Sequence, residues 1–204
     1  MKKILFLFLA VSLCSCNLPG KPGSEDESGT KDQNQPHLFS STFLNEEVPY
    51  QVFIPEGLDS EKDSIALLVL LDGDEYFGLA QDVTSLYESG GKIKPTVVVS
   101  LPSTPRSRWS RYTPTRDSIN IEEGFEELYG VTGKFPEFAS FVEQELIPHI
   151  QEKQGMEFYQ KTIFGHSLGG LGVLSFAVLR PEIFDNYISA SPSTMFDDHL
   201  FSGL

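Results

Sequence analysis

The stretch KTIFGHSLGGLGVLSF, residues 161–176, sets Ser167 in a G-H-S-L-G frame. A serine hydroxyl attacks a carbonyl carbon only when a base removes its proton and fixed donors stabilise the oxyanion that forms. The G-x-S-x-G spacing supplies the geometry for such an attack when it sits on a strand-to-helix turn. The serine backbone is then strained outward, and glycines on either side let strand and helix approach closely. The surroundings meet that condition, with the β-prone KTIF before Ser167 and a small-residue run, Gly169, Gly170 and Gly172, opening a helix after it. The N–H of Leu168, at the helix N-terminus, is one expected oxyanion donor. A second is expected from the loop after an earlier buried strand, and the backbone N–H of Asp74 in Asp72-Gly73-Asp74 is the candidate. The two aspartates are also suited to cap the helix that follows. His166 precedes the nucleophile, so its side chain should point away from the catalytic face and serve packing rather than proton transfer.

The elements that must carry these residues are readable along the chain. HLFSSTFL and VPYQVFIP, separated by Asn45-Glu46-Glu47, predict an antiparallel hairpin. SIALLVLL, residues 64–71, is almost wholly apolar and ends at Asp72-Gly73-Asp74, which predicts a strand buried on both faces of a parallel sheet. A helix is expected over 75–89, with Phe77, Leu79, Ala80, Val83 and Leu86 on its inner face, followed by a strand PTVVVSLP, 95–102. Residues 103–134 are the least regular part. FPEFASFVEQELIPHIQEK reads as an amphipathic helix that Pro148 should bend or end. Strand KTIFGHS, helix SLGGLGVLSFAVLR and strand NYISASPS complete an alternation of strand and helix from Ile65 onward. The fold class is therefore α/β, with a mainly parallel sheet and an N-terminal antiparallel hairpin.

The N-terminus has a different character. MKKILFLFLAVSLCSC places two lysines before an apolar run from Ile4 to Leu13 and then small residues, the three parts of a secretory signal. The run is too short to span a bilayer, which takes about 20 apolar residues. Leu13-Cys14-Ser15-Cys16 resembles the lipobox of bacterial lipoproteins, with Cys16 as the lipidated residue. Residues 1–15 are then the signal peptide. Residues 16–36, rich in Gly, Pro, Ser and charge, are a flexible tether, and 37–204 form the domain. Localisation in the cell envelope follows, lipid-anchored on the periplasmic or outer-membrane face, with the membrane as a partner through the anchor. The net charge of −14 argues against nucleic acid as a partner. No cluster with metal-ligand spacing and no phosphate-binding loop appears in the sequence, so neither metal nor cofactor is expected.

LLDGDEYF, RWSRYTPT, FVEQELIPHI, GHSLGGLGVLSFAVLRPEIF and YISASPS, in that order, resemble the "putative esterase" family of α/β-hydrolases, which includes the siderophore (enterobactin-type) and esterase D-like branches. The resemblance implies an α/β-hydrolase fold from about residue 38 onward and hydrolysis of a carboxylic ester, small-molecule or saccharide-linked. It implies Ser167 as nucleophile, the amides of Leu168 and Asp74 as oxyanion hole, and Arg108 as a residue facing the substrate. In this fold the acid and the histidine of the triad follow the serine on later loops. Asp197, Asp198 and His199 stand after the YISASPS strand, but His199 reads as a polar helix start beside its neighbours. The triad's acid and base are thus expected beyond residue 204, with the last βα units absent and activity impaired. Two alternatives stand beside hydrolysis: a lipid-anchored protein that binds a ligand on a hydrolase scaffold without chemistry, and an acyltransferase using the same residues.

Overall fold

The computed structural model describes residues 36–59, 64–116 and 130–196. The signal segment, Cys16 and the tether up to Gln35 lie outside these residues, as do Asp197, Asp198 and His199.

Six strands form one sheet in the order β1-β2-β4-β3-β5-β6. β1 (His37–Ser41) and β2 (Glu46–Phe53) make the expected hairpin, antiparallel with His37 opposite Tyr50. The turn itself is Thr42 to Asn45, and Glu46 and Glu47 belong to β2 opposite Ser41 and Ser40. The polar pair had read as part of the connection; Asn45, at φ 53°, is the residue that closes it instead. β2 runs antiparallel to β4 (Thr96–Leu101), and β4, β3 (Ile65–Leu71), β5 (Phe158–His166) and β6 (Asn186–Ala190) are parallel. The sheet is thus mixed and mainly parallel.

β3 is central and is buried on both sides for the reason its sequence gives. Leu67, Val69 and Leu71 alternate onto one face, within the main core, and Leu68 and Leu70 onto the other. The main core lies between the sheet and helices α2 (Pro105–Tyr112), α3 (Phe135–Phe141), α4 (Ile147–Gln154) and α5 (Leu168–Leu179). Phe176 of α5 is its aromatic centre, with Phe135, Phe138 and Phe184 at ring centroid distances of 4.9, 5.9 and 5.4 Å, all edge-on. α5 is apolar nearly all round because it is covered by strands on one side and by α2 and α3 on the other.

The opposite face carries α1 (Gly73–Ser89), whose Phe77, Tyr76 and Ala80 pack with Leu68, Leu70, Val98 and Phe164. The inner face expected for this helix is only partly right. Phe77, Ala80 and Thr84 look inward, whereas Leu79, Val83 and Leu86 are 64%, 44% and 68% exposed. Two apolar stripes share the helix, and periodicity alone does not distinguish them.

The long helix expected after Phe135 is present, but Pro148 neither ends nor splits it. Between α3 and α4 the turn Val142–Leu146 widens into a π-helix just before the proline. A proline lacks an N–H and its ring crowds the preceding turn, and the wider turn absorbs both. Within the stretch expected to be least regular, α2 is a well-formed helix; Thr104 and Ser107 cap its start reciprocally and Pro105 opens it.

Candidate active site

β5 ends at His166 and α5 begins at Leu168, so Ser167 alone makes the turn. Its backbone stands at φ 56°, ψ −117°, a conformation that glycine adopts freely and other residues seldom do. Ser167 is half-buried, not part of the core. Close packing explains the glycine two residues before it: a Cβ on Gly165 would lie 2.3 Å from the carbonyl oxygen of Gly169. The strand and the helix therefore touch through main chain, which directs the intervening side chain outward. His166 is exposed and its ring lies edge-on to Tyr76 of α1 at 6.3 Å.

The elbow is braced by the segment after β6. The N–H of Ser167 donates to Ala190 O at 3.0 Å, and Ser167 O accepts from Ser193 N at 3.0 Å and Leu171 N at 3.1 Å. The hydroxyls of Ser167 and Ser193 are 3.2 Å apart. Ser193 was not singled out from the sequence, although YISASPS was; its place becomes visible only when β6 is paired beside β5.

The second loop is built on Asp72. It occupies the N-cap position of α1 in a left-handed conformation, φ 55°, ψ 46°, yet its side chain caps nothing. Its carboxylate instead accepts from Arg108 Nε and Nη2, at 2.8 and 2.9 Å, and from Ser103 Oγ at 2.5 Å. Its N–H donates to Tyr112 Oη at 3.2 Å, and burial together with this neighbouring carboxylate pushes the Tyr112 phenol well above its usual pKa. Gly73 fits beneath only because it has no side chain: a Cβ there would meet Ser100 Oγ at 1.8 Å. Asp72 Oδ2 would likewise lie 2.7 Å from a Cβ on Gly169, which brings this loop against the first turn of α5. Asp74 is exposed, and its N–H is among the first-turn donors that a helix leaves without an internal partner. Leu168 N–H has the same standing in α5.

The sequence profile of the family described as "Putative esterase" matches residues 41–199. The chain belongs to that family. Among curated relatives, it is 29% identical over 160 residues to the "Ferri-bacillibactin esterase BesA" of Bacillus subtilis, covering 73% of this chain and 55% of the relative. It is 30% identical over 169 residues to the "Siderophore enterobactin esterase" of Emericella nidulans, covering 71% and 54%. Among solved structures, it superposes on an "IroE-like serine hydrolase" from Shewanella oneidensis with a TM-score of 0.69 and 26% identity, over 81% of this chain and 52% of that one. The chain spans about half the length of the curated relatives it matches. The α/β-hydrolase fold expected from the five motifs is thereby borne out.

Three other features of this esterase-family chain lie around or apart from the Ser167 turn. Arg108, expected to face a substrate, spends two of its nitrogens on Asp72, with its side chain 32% exposed and that of Asp72 5%. His37 and His149 stand in a separate cluster, His149 Nε2 lying 3.0 Å from Tyr50 Oη and its ring edge-on to Phe39. Neither approaches the elbow's hydrogen bonds. A cavity of about 720 Å³ lies on the α1 side of the sheet, lined by Leu68, Lys92, Tyr159 and Ile188 among others. It includes no residue of the elbow, and in a parallel sheet chemistry belongs at the carboxyl ends of the strands, where Ser167 stands.

Proposed function

We propose that this chain carries the nucleophile of a serine hydrolase for carboxylic esters, with an ester-linked siderophore as the substrate class. The observation that carries the reading is the conformation of Ser167: a non-glycine residue held at φ 56°, ψ −117° between β5 and α5, with its hydroxyl half-buried at the strand ends. Strain of this kind costs roughly 1–3 kcal/mol and persists where the surrounding structure fixes it. The siderophore class is supported by the names of the relatives, a ferri-bacillibactin esterase and an enterobactin esterase.

In this mechanism Ser167 Oγ attacks the ester carbonyl carbon as a histidine takes its proton. The carbonyl oxygen becomes an oxyanion held by the N–H groups of Leu168 and Asp74. Collapse expels the alcohol, which receives the proton from the histidine, and water then releases the acyl group from Ser167 by the same steps. Arg108 meets the substrate on the Nη1 edge, since Asp72 takes the other two nitrogens. Among the described residues, His37 and His149 lie in their own cluster and His166 lies against Tyr76, whereas His199 is outside those residues. The N-terminal lipobox-like sequence supports a lipid anchor at Cys16 in the cell envelope; Cys16→Ser should release the protein from the membrane fraction.

The test is hydrolysis of p-nitrophenyl acetate and of a siderophore triester, with labelling of Ser167 by a fluorophosphonate. Labelling and ester hydrolysis that Ser167→Ala abolishes are the expected outcome. No labelling at all would refute the nucleophile.

A further inference from the structure

Ser193 occupies a position that neither the elbow nor the oxyanion hole accounts for. It lies on the segment that leaves β6, half-buried, with its hydroxyl 3.2 Å from Ser167 Oγ and its N–H bonded to Ser167 O. The segment is seated tightly. Ser191 takes φ 42°, another non-glycine residue in a left-handed conformation. A Cβ on Gly170 would lie 2.9 Å from Ala190 O and 3.0 Å from Pro192 Cα, and Ser189 Oγ donates to Gly170 O at 2.9 Å. Ser193 O accepts from Phe196 N at 3.3 Å, and Phe196 packs on Trp109 with ring centroids 5.6 Å apart. The hydroxyl is therefore presented to the nucleophile by main chain fixed on both sides.

We propose that Ser193 is a second catalytic residue, donating a hydrogen bond to Ser167 Oγ as that oxygen loses its proton. This rests on the reading of Ser167 as nucleophile. In the resting state either hydroxyl can donate to the other. Once the Ser167 proton moves to a base, Ser167 Oγ can only accept, so the bond is retained only with Ser193 as donor. A hydrogen bond to a charged oxygen is stronger than one between neutral groups, so the interaction tightens where charge develops and lowers the barrier to attack. Before attack, the same bond selects one side-chain rotamer of Ser167.

Ser193→Ala and Ser193→Thr in the 204-residue chain test this, with the second-order rate of Ser167 phosphonylation by a fluorophosphonate followed by intact mass and fluoride release. Ser193→Ala should slow labelling about tenfold and move its pH profile upward, while leaving the melting temperature within a few degrees. Ser193→Thr, which keeps the hydroxyl, should recover most of the rate. Labelling of Ser193→Ala at the wild-type rate, or equal loss in both variants, overturns the proposal. If the wild type is not labelled, the hydrolase reading has failed by itself, and the crystal structure of Ser193→Ala still decides. Ser167 spread over several rotamers supports its selection by Ser193; a single unchanged rotamer overturns it.

Discussion

Arg108 holds both carboxylate oxygens of Asp72, Nε on Oδ1 at 2.8 Å and Nη2 on Oδ2 at 2.9 Å, and so ties helix α2 to the turn that opens α1. The pair does not lie loose on the surface: Ser103 adds a third donor to the carboxylate and Tyr112 holds the Asp72 N–H. Its direct effect is to fix the backbone from which the Asp74 amide is presented.

Removing one member should therefore destabilise as well as deactivate. Asp72→Ala leaves the guanidinium and the Ser103 hydroxyl without their acceptor, and should lower unfolding free energy by about 3 kcal/mol. Arg108→Lys keeps the charge but loses the two-point grip. It should lose about 1 kcal/mol, because Arg108 is a third exposed and solvent screens part of the effect. Urea denaturation at 25 °C measures both, and equal stability of Asp72→Ala and wild type would refute the account.

The strained backbone of Ser167 offers a test that needs no substrate. At φ 56°, ψ −117°, glycine is unstrained where serine is not. Ser167→Gly should stabilise the chain by about 1 kcal/mol, and Ser167→Ala, which keeps a Cβ, by much less. Gly165→Ala should do the reverse, since its Cβ would meet Gly169 O at 2.3 Å; a loss of about 3 kcal/mol or failure to fold is expected. Thermal melting of the three variants orders them.

Glu145 fastens the hairpin turn to the helical layer. Its carboxylate accepts from the Thr42 N–H at 2.9 Å, from Ser41 Oγ at 2.6 Å and from the Thr42 hydroxyl. Burial works against the charged form, but these hydrogen bonds, with a further one from the Phe43 backbone, prevail and hold its carboxyl below the usual range. A depressed folded-state pKa gives stability that is present above the unfolded value and is lost as pH falls through the folded one. Glu145→Gln should thus cost about 1–2 kcal/mol at pH 7 and nearly nothing once acid has protonated the wild-type carboxyl. Parallel denaturation curves at the two pH values check this.

The histidine cluster predicts the opposite end of the acid range. Burial, then the Lys153 charge, lowers the pKa of both His37 and His149, and His149 adds to the effect on His37. Below the ordinary histidine value the unfolded chain binds protons that the folded chain refuses, so stability should fall as pH drops from about 6.5 toward the folded values. His149→Gln should flatten that slope in a melting-temperature series. An unchanged slope would place the titration elsewhere.

The strand-to-helix turn at Ser167 was legible from sequence because its signal is local: a β-prone run, a serine between glycines and a small-residue helix start must be neighbours along the chain. The strand pattern was legible for the same reason, as in SIALLVLL. What failed depended on pairing across distance. On α1, Leu79, Val83 and Leu86 and the inward Phe77, Ala80 and Thr84 have similar helical spacing; only the Leu70 and Val98 face of the sheet selects between them. Asp72 looked like a helix cap, and its true partner lies 36 residues on, in a helix the sequence did not announce. Ser193 next to Ser167 is the same lesson, since only the β5–β6 pairing joins them.

The widened turn Val142–Leu146 carries one residue more than a regular helix would need, with exposed Gln144 at its middle. Excision of a single residue there would restore ordinary winding and leave Phe138 upstream and Ile150 downstream pointing as they do now. A change of length can be absorbed at this slack link, sparing the taut main-chain contact of Gly165 with Gly169 beside Ser167.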